Sequence, residues 1–198
     1  MKQILLTLLA VSISVAAVAG LKPGDKAAGF KLKNIDGKTI SLDDYLKHDG
    51  VILVFSCNTC PVVVAYEDRI IGLDKKFASK GYPVIAINSN DPVQAPGDSY
   101  DKMIDRAKEK GFTFPYLYDD TQEVAMAYGA TKTPHVYLLT KKKDHFRVAY
   151  VGAIDDNQRN PSAVKQAWVE EAIAALKSGT KPATEQTVAV GCSIKYRK

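Results

Sequence analysis

Two cysteines separated by two residues, in Cys57-Asn58-Thr59-Cys60-Pro61, constrain this chain more than any other stretch. They follow an apolar run, VILVFS at 51–56, which reads as a buried strand. They precede Val63, Tyr66, Ile70, Leu73 and Phe77, whose steps of three and four lay one apolar stripe along a helix of about five turns. Pro61 falls in the first turn, where a missing N–H costs little, and Gly81 suits the C-terminal cap. Thiols three apart at such a junction can close a disulfide with little backbone movement and open it again. The unpaired N–H groups and positive dipole end of the helix favour the thiolate, the reactive form of cysteine. The expectation is that this field acts most on Cys57, at the lip of the helix, with Cys60 one turn in beneath Pro61 and Val63. The same spacing also serves a static disulfide or half of a zinc site. Zinc takes four ligands in a structural site, or three with an open position; Cys57 and Cys60 supply two and His135 is the only nearby candidate third, and the reading assigns no metal and no cofactor.

The rest of the chain alternates in type. Two short runs flank Asn34-Ile35-Asp36-Gly37, a hairpin signal, and Asp43 to Leu46 reads as a helical turn. Tyr82 to Asn88 is a second apolar strand. The loop after it ends at Asp98 or Ser99, either a good N-cap, before a helix with Tyr100, Met103, Ile104 and Ala107 inward. Phe114 to Tyr118 is a third strand, and Asp120 with Glu123 matches a capping box for a short helix that Gly129 ends. Thr131-Lys132-Thr133-Pro134 opens a strand at 135–139, which Lys141 to Asp144 turn back into 146–151. Val164, Trp168 and Ala172 mark a last helix, and the tail, 180–198, is polar and poorly periodic. This order predicts an α/β fold with a mainly parallel central sheet and right-handed crossovers. An antiparallel hairpin closes one edge, and a β-hairpin extension stands at the N-terminus.

The first 19 residues carry one lysine, a short apolar core and Ala17-Val18-Ala19 before Gly20, the pattern of a secretory signal peptide cleaved after Ala19. An uncleaved anchor is the alternative, although the stretch at most just reaches bilayer-spanning length. Residues 20–198 then form a single domain, and the expected location is periplasmic. Formal charge is +5, but the basic residues are scattered apart from Lys141-Lys142-Lys143, so nothing resembles a nucleic-acid footprint. Three cysteines leave at least one unpaired within the chain. Cys192 could be a buried small residue, a third redox thiol or a dimer link.

A strand, a C-x-x-C at a helix start and a later Thr-Pro opening a hairpin strand resemble the thioredoxin superfamily. The longer spacing from Cys60 to Pro134 is similar to its redoxin branch, which pools peroxiredoxins with thiol–disulfide oxidoreductases of the TlpA and ResA type. The resemblance covers roughly residues 22–177, with the phrases FSCNTCP, AINSND, FPYLYD, YGATKTP and GCSIKY matching one bacterial subgroup. It implies a thioredoxin-like fold with helices on both faces, a cis-proline at Pro134 beside the redox-active Cys57–Cys60 disulfide, and Thr133 offering its backbone to a substrate's extended segment. Three departures stand out. Ser56 replaces tryptophan before Cys57, Asn58-Thr59 replaces Gly-Pro, and strand 51–56 lacks the carboxylate that thioredoxin buries there.

The resemblance implies a thiol–disulfide oxidoreductase acting on protein disulfides or thiols, with Cys57 attacking, Cys60 resolving, and a membrane or soluble redox partner recharging the pair. Asn58, Thr59 and His135 are auxiliary candidates, and Glu67 and Asp68 read as a solvated helix face. The alternative is a thiol peroxidase using Cys60. Peroxiredoxins carry a Thr three residues before a Cys followed by Pro; Cys57 holds that threonine's place, and Thr133-Pro134 stands where they keep an essential arginine.

Overall fold

The computed structural model describes residues 20–198, so the signal-peptide reading of residues 1–19 lies outside the described residues. An N-terminal hairpin comes first. β1 (Lys31–Asn34) and β2 (Thr39–Ser41) pair across a turn in which Gly37 adopts φ 81°. Ser41 then caps a helical turn over Leu42–Tyr45, with Asp44 returning the hydrogen bond to the Ser41 amide. β3 (Gly50–Ser56) leads to α1 (Pro61–Phe77), β4 (Val84–Asn88) to α2 (Tyr100–Lys110), and β5 (Tyr116–Tyr118) to α3 (Glu123–Tyr128). β6 (Lys132–Thr133), β7 (His135–Lys142), β8 (His145–Gly152), α4 (Trp168–Lys177) and β9 (Cys192–Ser193) complete the chain. Among the described residues, no helix is long and apolar enough to cross a membrane.

Seven strands form one sheet in the order β2-β1-β5-β4-β3-β7-β8. β3, β4 and β5 run parallel in its centre. β7 and β8 add an antiparallel hairpin on one side, and the N-terminal hairpin joins β5 on the other. Every residue of β3 is buried, because helices cover both faces of the sheet. Ile52, Val54, Val84 and Ala86 pack with α1, α2 and α4. Val51, Leu53, Phe55, Ile85 and Ile87 pack with α3 on the opposite face. Each fully buried Val, Leu, Ile or Phe contributes about 1.5–3 kcal/mol. That makes β3 the rigid base from which the cysteine loop departs.

Several sequence expectations shift. The last helix starts at Trp168, because a 3-10 turn over Pro161–Ala163 interrupts the chain after β8. α3 is capped by Asp119, not Asp120: buried Asp119 accepts the amides of Val124 and Ala125 at 3.3 and 2.9 Å, while Asp120 is exposed. Ile104 lies on the outer side of α2. Glu67 is not solvated; only 2% exposed, it takes two 2.7 Å bonds from the Arg106 guanidinium, which locks α1 to α2. Asp68, next to it, is exposed as expected. The tail is ordered against the body. Thr187 donates to the Val151 carbonyl, Ile194 is buried, and the Tyr196 hydroxyl donates to the Ala130 carbonyl.

Removing one partner of a buried ion pair strands the other charge. Arg106→Met leaves Glu67 with only Lys110, at 3.5 Å, and is expected to lower stability by about 2 kcal/mol, read as a shifted midpoint in urea denaturation. A change within about 0.5 kcal/mol, ordinary for a surface site, would mean that the pair does not hold the two helices together.

Candidate active site

β3 and β4 run parallel in a register that sets Ser56 beside Asn88, so the segments following both strands emerge at one edge of the sheet. There the buried carboxylate of Asp98 organises the cysteine loop. Its Oδ1 accepts the amides of Asn58 and Thr59 at 2.8 and 3.0 Å. Its Oδ2 accepts the Thr59 hydroxyl at 3.1 Å and the Asn90 amide group at 2.7 Å. Asn88 donates to the Asp98 carbonyl, and Asn58 links the Gly97 carbonyl to the Tyr116 hydroxyl. Gly97 must be glycine for this approach, since a Cβ there would stand 2.5 Å from the Thr59 methyl. The central Asn-Thr dipeptide is thus the part of the motif that the protein body grips. Asp98 escaped sequence reasoning, which saw only a helix cap. The cluster of Asn88, Asn90 and Asp98 after a central strand was the available signal.

The loop delivers Cys60, not Cys57, to the helix start. Cys60 is the N-cap of α1, with Pro61 as the first helical residue, and its carbonyl accepts the Val64 amide at 2.9 Å. Both sulfurs meet Thr133, whose peptide bond to Pro134 is cis. Cys57 Sγ lies 3.3 Å from the Thr133 hydroxyl, and Cys60 Sγ lies 3.2 Å from the Thr133 carbonyl oxygen. The Cys192 amide donates to Cys60 Sγ at 3.4 Å. Cys57 and Cys60 are each 3% exposed and Cys192 is half-buried; all three are free thiols.

The charges fall opposite to expectation. The Cys57 thiol donates to Cys60 and drives its pKa down to about 4; burial opposes this, and the Cys192 thiol and nearby backbone amides assist. The same hydrogen bond, then burial, then the Asp98 carboxylate push Cys57 up. The Thr133 carbonyl oxygen favours a protonated Cys60 and so works against the thiolate. It is one acceptor against two thiols and a helix N-terminus, and the anion belongs on Cys60. Neither sulfur sits at an exposed lip. The helix begins at Pro61, about one turn later than the expected start beside Cys57, so Cys60 and not Cys57 is its N-cap.

Of the residues singled out from the sequence, Cys57, Cys60, Asn58, Thr59, Thr133 and Pro134 converge. His135 does not join them: its buried ring packs 4.8 Å from that of Tyr137, and burial alone lowers its pKa to about 4. Thr133 is 1% exposed, and its main chain pairs with Cys192 in the tail.

With this geometry in hand, the comparisons with known proteins are specific. The family model described as AhpC/TSA matches residues 23–156. A Mycobacterium tuberculosis protein named "Putative peroxiredoxin" is 28% identical over 59% of this chain and 69% of its own length. The thiol-disulfide oxidoreductase ResA of Geobacillus thermodenitrificans is 28% identical over 60% of this chain and 63% of its own length. The crystal structure of an uncharacterized conserved protein from Geobacillus kaustophilus superposes with TM-score 0.81 at 38% identity, covering 88% of this chain and 92% of that one.

Two outcomes test the site. The thiolate absorbance of the reduced protein near 240 nm is expected to persist from neutral pH downward and to vanish with a midpoint near 4. Cys60→Ser should abolish the signal, and Cys192→Ala should raise the midpoint by removing one donor. A midpoint near the free-thiol value of about 8.5 would refute this charge assignment. Asp98→Asn keeps the shape but removes the charge and leaves donors facing donors. It should cost about 2 kcal/mol in urea denaturation and move the Cys57 pKa downward; an unchanged denaturation curve would show that Asp98 does not hold the loop.

Proposed function

We propose that this chain, which belongs to the AhpC/TSA family, exchanges disulfides with protein substrates through the Cys57–Cys60 pair. One observation carries the reading: two buried free thiols, clustered together with Val63, both lie against Thr133 of the cis Thr133–Pro134 loop. Such a pair completes a two-electron cycle without an added group. The Cys60 thiolate attacks a substrate disulfide, forming a mixed disulfide and expelling one substrate thiolate. Cys57 then loses its proton, attacks Cys60 and expels the second, leaving the Cys57–Cys60 disulfide. In reverse, the same steps oxidise a dithiol. The roles of the two cysteines are thus exchanged relative to the sequence-based expectation. Asn58 and Thr59 hold the loop, and Pro134 shapes the surface beside it.

The name of the ResA relatives supports this activity, and the apolar N-terminal stretch supports export to the periplasm. A soluble or membrane-bound thiol partner would then restore the pair.

A peroxidase is the second reading, favoured by one feature: the acidic thiol is the N-cap cysteine directly before proline. Against it, Cys57 fills the threonine position and Thr133-Pro134 the arginine position of peroxiredoxins. Among the described residues, no arginine side chain hydrogen-bonds either sulfur.

The protein is expected to accelerate insulin reduction by dithiothreitol, with Cys57→Ala and Cys60→Ala both inactive. Loss of added hydrogen peroxide should stay near the rate of the double variant. Rapid, saturable peroxide turnover that survives in Cys57→Ala, together with no insulin activity, would replace the exchange reading by the peroxidase.

A further inference from the structure

Cys192 is neither an isolated small residue nor a surface thiol. β9 pairs antiparallel with β6 in a register that sets Cys192 opposite Thr133. Its amide reaches Cys60 Sγ at 3.4 Å, and it packs on the cluster of Cys57, Cys60 and Val63. The tail is clamped just after this point. The Ile194 amide donates to the Thr131 carbonyl at 3.1 Å, and the Lys195 carbonyl accepts from the Asp91 amide and the Gln122 side chain, both at 2.9 Å. Gly191 passes so close to the cis-proline loop that a Cβ would stand 2.0 Å from the Thr133 oxygen. This segment is therefore fitted to its place. It also takes up the Thr133 main chain that a substrate's extended segment was expected to use.

We propose that Cys192 is a third redox thiol, which takes the disulfide over from the buried pair by bonding to Cys60 and so presents it to redox partners outside. This rests on the reading that Cys57 and Cys60 form a disulfide. The exchange needs no oxidant. The Cys192 thiolate attacks the Cys60 sulfur, the Cys60–Cys192 bond forms, and the Cys57–Cys60 bond breaks. Cys57 leaves with the electron pair and takes up the proton that Cys192 released. An external dithiol then attacks Cys192 and expels the Cys60 thiolate, and its second thiol frees Cys192 as the dithiol becomes a disulfide. In that second step the leaving group is Cys60, and a thiol of low pKa is the better leaving group. Exposure supports the order of events: Cys57 and Cys60 are almost closed to solvent, whereas Cys192 is half-buried.

The test is disulfide mapping on the full chain, oxidised with one equivalent of diamide, alkylated with N-ethylmaleimide and digested for peptide mass spectrometry. Cys57→Ser should yield the Cys60–Cys192 cross-link at about tenfold or more the Cys57–Cys192 yield of Cys60→Ser, since only contacting thiols gain the effective molarity of a shared site. Cys192→Ser should still form Cys57–Cys60, and wild type should contain both bonds to Cys60. If Cys57→Ser leaves Cys192 alkylated while Cys192→Ser forms Cys57–Cys60, this proposal is overturned and the exchange function stands. If Cys57→Ser forms Cys60–Cys192 but Cys192→Ser forms no disulfide, the Cys57–Cys60 function falls and Cys192 remains a redox partner of Cys60.

Discussion

A buried carboxylate, rather than either thiol, is what the site depends on. Asp98 is fully buried and takes four donors on its two oxygens, three of them from the Asn-Thr dipeptide between the cysteines. Burying a carboxylate is costly unless hydrogen bonds replace its hydration, and this loop supplies them. The dependence runs both ways. Without Asp98 the loop amides lack acceptors, and without the loop the carboxylate lacks donors. The same charge discourages ionisation of Cys57, so one residue sets both the shape of the loop and which sulfur carries the anion. Thioredoxin places a carboxylate on the strand before its motif; here a carboxylate arrives from the segment after the neighbouring strand.

What the sequence made legible follows from the range of its signals. The strand at 51–56, the helical stripe from Val63 to Phe77 and the turn glycines are local patterns, and the structure has each of them within a residue or two. The three parallel strands followed from alternation of element types. Contacts between distant segments were not legible. Glu67 looks like any polar position until Arg106 arrives from 39 residues away. Asp98 offers a plausible cap to its own helix, which hid its partners across the sheet. The tail lacks periodicity because it is held by backbone pairing and isolated side chains, and such contacts leave no repeat to read. Which cysteine caps the helix turned on about one turn of helix boundary, because the Asn-Thr dipeptide is held by Asp98 from another segment instead of entering the helix.

The N-terminal hairpin and the C-terminal tail close the site from different directions. The hairpin caps β5, whose Tyr116 hydroxyl donates to Asn58, and Asn34 in β1 accepts the Tyr116 amide. The tail closes the opposite side through Thr133 and Cys192. Both additions bury polar groups that a bare central sheet would leave in water. The outcome is a dithiol in a drier setting than an open cleft gives, where hydrogen bonds to an anion are stronger and an unpaired one costs more.

That setting also bears on the direction of electron flow. Stabilising the thiolate of a reduced pair stabilises the reduced form, because the disulfide has no charge to stabilise. Donors gathered around Cys60 therefore pull the couple toward an oxidant. Burial and the Thr133 carbonyl pull the other way, since both penalise the anion. The donors prevail in setting the Cys60 pKa near 4, and one of them is the thiol of Cys192. Once that thiol is itself in a disulfide with Cys60, its donation disappears, and so does the anion it stabilised. A third cysteine in this place therefore does more than extend the reach of the pair. In the proposed cycle its reduced thiol adds to the larger effect of Cys57 in lowering the Cys60 pKa, and bonding to Cys60 removes that addition.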